Sequence, residues 1–566
     1  MPTKRLNDLP RPWLRHYESS VKPHLRYPKI TLPQMLEQTT AKFPNQTALI
    51  YFGNRITYAQ LLDHVNRLAA GLQALGVRKG DRVALMMPNC PQFVIGYFGA
   101  MQAGAVVVAT SPMYTPREAE YQWRDSGAET VIVDRRLLPV VQAVQASYSP
   151  PPQGGGWRGL RNVIVTGIRD YYPTNFAALQ KSLRRKSRIP NPKSQIHRWD
   201  EVIHHSPSAI HDRLAPSDLA CLQYTGGTTG ISKGAMLTHA NLVVNAHQAC
   251  HWLTGGHEEN DYTLVAALPL FHIYAMTCVM IAAVWLGGAA ILLPRFELQA
   301  ALNVIRKYRP TIFHGVPTMY VAFNNAPHVE RYGFHSLKYC MSGGAPLPVE
   351  VQQKFEALTG GRLVEGYGLT ETSPVTHINP LSGTRKVGSI GVPISDTDAK
   401  IVDLETGTRD LPIGEIGEIV IRGPQVMKGY WNKPEETANA LRDGWLYTGD
   451  IAKMDEDGFF YIVDRKKDMI IAGGYNIYPR EVEEVLFEHP QIKEAAVIGV
   501  PDAYRGETVK AFVVPKDGAT LNPDDIIAFC RERLAAYKVP RLIEFRDAIP
   551  KTGVGKYLRR ALRESS

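Results

Sequence analysis

Cysteine is scarce and scattered in this chain. Cys90, Cys221, Cys250, Cys278, Cys340 and Cys530 are spread over 566 residues with no Cys-x-x-Cys pair. That pattern argues against a disulfide scaffold and a thiolate zinc site, and for reduced thiols in a reducing compartment. No low-complexity tract is longer than Ser149-Pro-Pro-Pro-Gln-Gly-Gly-Gly156, a loop or linker by composition, and repeats with a period of roughly 20–50 residues are lacking. The opening, Met1-Pro-Thr-Lys-Arg, has no apolar stretch of the kind that marks a secretory leader, so none is expected. Long uncharged runs occur twice, at Phe93–Tyr114 and Ala275–Leu293. Each breaks at glycine (Gly104; Gly287-Gly288) and continues as a short β-rich run that ends at proline (Pro112; Pro294). A buried helix, a glycine cap and a buried parallel strand fit this pattern better than a membrane span.

What remains is ordinary globular composition, with 44% hydrophobic and 21% charged residues. The length exceeds one compact core and suits roughly two to four domains. The net charge of +10 is local. Between Tyr148 and Asp200 ten Lys or Arg stand against two Asp, a net of +8. The rest is nearly balanced, which disfavours a whole-surface nucleic-acid binder. Within that stretch Phe176, Leu179 and Leu183 fall at helical spacing among Lys181, Arg184, Arg185 and Lys186. A solvated loop is the plainer reading, and a peripheral contact with anionic lipid the sharper one.

Helix–glycine–strand units imply an α/β fold with parallel sheets. Further strands are expected in 128–134, 162–166 and 310–314. From Ser389 to Gly429 alternating strands with Gly and Pro turns indicate a β-rich subdomain. A charged break, Asp464-Arg-Lys-Lys-Asp468, precedes about a hundred residues with their own helices (479–487, 523–535) and strands (495–500, 509–515). The expectation is a large N-terminal part, 1–466, of two α/β subdomains and a β-rich one, with a basic insert at 148–200. A hinge at Lys467 and a small mobile α+β domain, 468–566, follow.

The densest local signal is Tyr224-Thr-Gly-Gly-Thr-Thr-Gly-Ile-Ser-Lys-Gly234. Glycines let backbone N–H groups approach an anion, threonines add hydroxyl donors and Lys233 adds a charge. It is a phosphate loop, yet the Gly-Lys-Ser/Thr order of a Walker A loop is absent, so the usual P-loop reading fails.

This loop closely resembles the signature of the adenylate-forming superfamily: acyl-CoA synthetases, peptide-synthetase adenylation domains and firefly luciferase. Other motifs follow in the family's order. Leu268-Pro-Leu-Phe-His-Ile-Tyr274 resembles the acid-site motif. Ser342-Gly-Gly-Ala-Pro346 and Glu365-Gly-Tyr-Gly-Leu-Thr-Glu371 resemble the adenine and metal motifs, and Tyr447-Thr-Gly-Asp450 the ribose motif. Asp464–Asp468 resembles the hinge, Ala472-Gly-Gly-Tyr-Asn-Ile477 the loop after it, and Pro550-Lys-Thr-Gly-Val-Gly-Lys556 the C-terminal lysine motif. Ser232 departs from the proline of most relatives, and a small effect is expected.

The resemblance implies ATP, Mg²⁺ and CoA. Thr225, Thr228, Thr229 and Thr370 would contact phosphates, within a nucleotide site that includes Gly226, Gly227, Gly230 and Lys233. Gly343, Gly344, Ala345, Glu365 and Gly366 would line it, and Tyr367 would face adenine. Asp450, with Arg465 close by, would take the ribose hydroxyls, and Glu371 the metal. Lys556 would serve adenylation and His272 would position the acyl carboxylate. Lys467 would be the pivot that brings Gly473 and Gly474 to a pantetheine channel. These roles suit the chemistry, because charge that builds on a phosphate needs fixed cations and donors.

Phe271-His272-Ile273-Tyr274 holds no aspartate for a substrate ammonium, and no carrier domain is expected after Lys556. The resemblance is strongest to bacterial-type medium- and long-chain fatty acid:CoA ligases, carried by 268–276, 501–510 and 11–17. The alternatives are a ligase for aryl or short-chain acids, an acyl-AMP ligase that loads a carrier protein, and a luciferase-like oxygenase. The expected setting is the cytoplasm, with a peripheral membrane contact and a homodimer left open, and with no nucleic-acid partner.

Overall fold

The computed structural model describes residues 11–147, 157–173, 195–206, 214–225, 232–256, 261–466, 468–472, 475–502, 505–534, 536–551 and 557–564. Gly226, Gly227, Thr228, Thr229, Gly230, Lys467, Gly473, Gly474 and Lys556 lie outside the described residues, as does most of the basic stretch, including 176–186.

Two large sheets form the N-terminal part. The seven-stranded one runs, in space, Gln195–Arg198, Asn162–Thr166, Thr130–Asp134, Arg82–Met86, Val106–Thr110, Leu219–Thr225 and Lys233–Thr238. All neighbours are parallel except the last pair, an antiparallel hairpin. Strands such as Val106–Thr110 are buried at every position, which is why they read as continuous apolar runs. The nine-stranded sheet is parallel through Thr263–Ala266, Ala289–Leu292, Ile312–Gly315, Tyr339–Ser342 and Leu363–Gly368, and antiparallel at both edges.

One apolar core joins the two sheets, with Leu85 and Val107 from the first and Leu264 and Phe313 from the second. The helix Pro91–Gln102 is buried on all faces within it. It approaches its neighbour closely at Gly99, where an added Cβ would come within 2.8 Å of Leu68. Both uncharged runs therefore fold as the sequence predicts, helix then strand. Among the described residues no helix is long and apolar enough to cross a membrane.

A five-stranded antiparallel sheet follows, built from Asp398–Val402, Gly417–Arg422, Leu441–Arg442, Trp445–Met454 and Phe460–Arg465. The β-rich subdomain thus runs well past Gly429, the end read from the sequence. The helix Pro434–Ala440 interrupts the alternating text and hides that the strands resume after it. The last strand ends beside the charged break. The C-terminal part has its own core, with Ile470, Val482, Ala495, Val513 and Ile526. Its helix Pro479–Phe487 has the predicted bounds. The helix Pro523–Arg531 is shorter than the predicted 523–535 and gives way to turns, in which the Leu534 N–H still reaches the Cys530 carbonyl.

Candidate active site

The hairpin Leu219–Thr225/Lys233–Thr238 presents the glycine loop. Thr225 and Lys233 are cross-strand partners, so the loop leaves and re-enters the sheet at one point. Ser232 closes that neck: its hydroxyl donates to the Thr225 carbonyl oxygen at 2.6 Å, and Tyr121 donates to the Ser232 carbonyl oxygen at 2.9 Å. The residue that departs from the family pattern therefore supplies a bond that proline could not.

The next wall comes from neighbouring parallel strands. Ser342 pairs with Glu365, so Gly343, Gly344 and Ala345 emerge beside Gly366 and Tyr367. Gly343 packs against the Tyr274 ring, which an added Cβ would meet at 3.1 Å. The Tyr274 hydroxyl lies 3.2 Å from His314 Nδ1, with the two rings edge to face. His314 is buried and its Nε2 has no partner among the described residues. Burial lowers its pKa to about 4, so the ring is neutral at pH 7. His272 caps the short helix Ile273–Ala275, with Nδ1 accepting the Tyr274 N–H at 3.3 Å. Its proton in the neutral form is thereby on Nε2.

The third wall is electrostatic. Tyr367 donates to Asp450 Oδ2 at 2.6 Å, and Arg465 Nε stands 3.2 Å from Oδ1. Asp450 and Arg465 are cross-strand partners, which fixes that pair through the backbone. Burial, then the Asp450 charge, pushes the Tyr367 phenol well above its ordinary pKa, so it remains a donor. Asp450 itself is buried, and its two oxygens each meet one of these groups.

Glu371 sits in the short 3-10 turn Thr370–Thr372. Its Oε1 accepts from the Tyr430 hydroxyl at 2.7 Å. The Tyr430 ring lies 5.3 Å from the Lys233 ammonium, which is paired with Glu436. Among the described residues no cluster of three or more potential metal ligands exists. A single carboxylate beside a phosphate loop suits Mg²⁺, which takes one or two carboxylates and completes its shell with phosphates and waters.

The structure thus joins Tyr367, Asp450 and Arg465, and links Glu371 to Lys233 through Tyr430. Gly343–Ala345 and Glu365–Gly366 line the same strand ends. Tyr430 and His314 are not among the residues singled out from the sequence. Each meets its partner across 40 or more positions, and no local pattern announces it. Arg480 and Arg559 were missed likewise. Arg480 donates its backbone N–H to Asp464 Oδ2 and its Nη1 to the Ile462 carbonyl oxygen, both at 2.8 Å. Arg559 Nη2 lies 2.8 and 2.7 Å from the two Glu483 oxygens, and Nη1 lies 3.8 Å from Asp464. Burial raises the Asp464 pKa to about 6, opposed by the Arg559 charge.

Comparison with known proteins finds relatives along the whole chain. Residues 36–431 match the family model described as "AMP-binding enzyme", and residues 481–556 the "AMP-binding enzyme C-terminal domain". The chain is 48% identical over 559 residues to a long-chain-fatty-acid–CoA ligase of Bacillus subtilis, covering 98% of each chain. It is 40% identical to the Escherichia coli protein of the same name, again with 98% coverage of both. ATP-bound MatB from Rhodopseudomonas palustris is 30% identical and superposes with a TM-score of 0.81, over 95% of this chain and 99% of that one. The apo form of MatB gives 0.71 at the same coverage.

Proposed function

The chain belongs to the AMP-binding enzyme family, and from that membership we propose that it is an AMP-forming fatty acid:CoA ligase. A carboxylate oxygen of the acid attacks the α-phosphorus of ATP and pyrophosphate leaves, giving acyl-AMP. The CoA sulfur then attacks the acyl carbon, giving the thioester and AMP. The whole-length likeness to long-chain-fatty-acid–CoA ligases supports this reading. So does the acid-site segment, in which Leu268, Leu270, Ile273 and Met276 are buried and no acidic residue occurs between Leu268 and Met276.

Within that reading Asp450, held by Tyr367 and Arg465, accepts the ribose hydroxyls. The glycine loop, with Thr225 and Lys233, cradles the phosphates, and Thr370 adds a donor. His272 positions the acid through Nε2–H. Glu371 would hold Mg²⁺, which would offset charge on the phosphate oxygens. Lys556 is the cation for the first half-reaction, and turning at Lys467 brings Gly473 and Gly474 to the second. The proposed setting is the cytoplasm, with the basic stretch 148–200 as a solvated loop.

CoA-dependent AMP release across acids from acetate to oleate, with benzoate and ferulate included, tests the substrate class. We expect the highest kcat/KM with acids of roughly eight to eighteen carbons, because each buried methylene contributes about 0.8 kcal/mol. Faster turnover of acetate or an aryl acid than of any fatty acid would overturn the fatty-acyl reading.

A further inference from the structure

Tyr430 lies outside every motif that carries the family resemblance, yet it touches two of the groups proposed to handle the triphosphate. Its backbone is fixed against the strand that leaves the glycine loop. Lys428 N–H donates to the Met236 carbonyl oxygen at 3.0 Å, Met236 N–H to that of Gly429 at 2.8 Å, and Trp431 N–H to that of Gly234 at 2.8 Å. Ala235 and Tyr430 form an antiparallel bridge across this seam. The Tyr430 N–H is satisfied by Thr437 Oγ1 at 2.9 Å. The Glu371 backbone is tied to the same segment, its carbonyl oxygen accepting from Met427 N–H at 2.7 Å.

From this platform the phenol hydroxyl reaches Glu371 Oε1 at 2.7 Å, while the ring lies 5.3 Å from the Lys233 ammonium. Mg²⁺ demands near-ideal oxygen geometry, and partners that orient a ligating carboxylate tune affinity for the ion. A cation beside an aromatic face is held electrostatically.

We propose that Tyr430 is a positioning residue for nucleotide binding: its hydroxyl fixes the rotation of the Glu371 carboxylate, and its ring holds the Lys233 ammonium beside the glycine loop. One side chain then sets the spacing between the metal carboxylate and the phosphate cation. The inference rests on the reading of Glu371 as the Mg²⁺ ligand.

The test is equilibrium binding of ATP to the full chain with and without Mg²⁺, by calorimetry. Tyr430→Phe keeps the ring and loses the hydroxyl. It should weaken binding about tenfold with Mg²⁺ present and leave Mg²⁺-free binding within about twofold. Tyr430→Leu, which also removes the ring, should weaken both. The ratio of the two affinities within each variant is insensitive to a partly unfolded fraction, which alters stoichiometry instead. Equal loss with and without Mg²⁺ in Tyr430→Phe, or no loss in either, overturns the proposal. Glu371→Gln is the control for the underlying reading. If it leaves the Mg²⁺ effect intact, the assignment of Glu371 fails. If it abolishes that effect while Tyr430→Phe preserves it, only the role of Tyr430 fails.

Discussion

Glu365 faces opposing influences. Its side chain is buried in the strand Leu363–Gly368, near the Leu347 N–H and the charge of Arg480. Burial outweighs both and pushes its pKa to about 7. Between about 4.5 and 7 the folded chain therefore holds a proton that the unfolded chain releases. The stabilising contribution is fully present below the unfolded value and is lost as pH rises through about 7. Glu365→Gln keeps an acceptor for the Leu347 N–H and never ionises. Relative to wild type it should gain stability on the order of 1–3 kcal/mol at pH 8 and less than about 1 kcal/mol at pH 5. Urea unfolding from pH 5 to pH 8 measures this, and parallel stability curves for the two proteins would refute it. The residues legible in the sequence at this scale, Asp450, Tyr367 and Glu371, are those whose motifs are contiguous. The phenol that meets Glu371 and the imidazole that meets Tyr274 were not legible, because a pair is a property of the fold and each member alone looks like a core side chain.

Among the elements, the hairpin under the glycine loop carries the phosphate cradle proposed above. Its neck depends on a hydroxyl: Ser232 donates to the Thr225 carbonyl oxygen at 2.6 Å. Replacing it by alanine leaves that carbonyl without this donor, a loss of about 1 kcal/mol. Because the bond sits at the neck of the loop, Ser232→Ala should raise the Kd for ATP several-fold while the global unfolding free energy falls by no more than about 1 kcal/mol. Calorimetric titration beside denaturant unfolding separates the two. Unchanged ATP affinity would show that the register of Thr225 and Lys233 suffices. The sequence spoke clearly about such elements wherever one period held throughout. Pro91–Gln102 followed by Val106–Thr110 was read as helix then strand because glycine punctuates the join. It spoke less clearly where two periods meet. A short helix concealed the return to strands at Trp445–Met454, and the run after Tyr274 is apolar on every face, so nothing marked its wide turn at Met276–Ile281.

In the whole molecule the charged break is a set of contacts between the two parts. Asp464, on the N-terminal side of Lys467, accepts the Arg480 N–H at 2.8 Å, and Arg480 also holds the Ile462 carbonyl oxygen. Arg559 ties the C-terminal helix to Glu483 and faces Asp464 and Asp468. These bonds hold one arrangement, and its likeness to MatB is greater for the ATP-bound form than for the apo form. Sequence shows the charged run Asp464-Arg-Lys-Lys-Asp468, but could not show that the half-buried Arg480 and Arg559 meet its aspartates. If the two half-reactions use two arrangements, Lys556 should matter only when the α-phosphate is attacked, since its charge then meets developing negative charge. Lys556→Ala should lose acyl-AMP formation by about 10²-fold or more, yet make thioester from supplied acyl-AMP and CoA. Lys467→Pro fixes φ near −65° at the proposed pivot. It should adenylate nearly normally and fail to transfer to CoA. Rapid-mixing assays of each half-reaction on both variants decide this. Equal loss of both halves in both variants would mean that the lysines act through stability or one shared site, and that the two parts do not alternate.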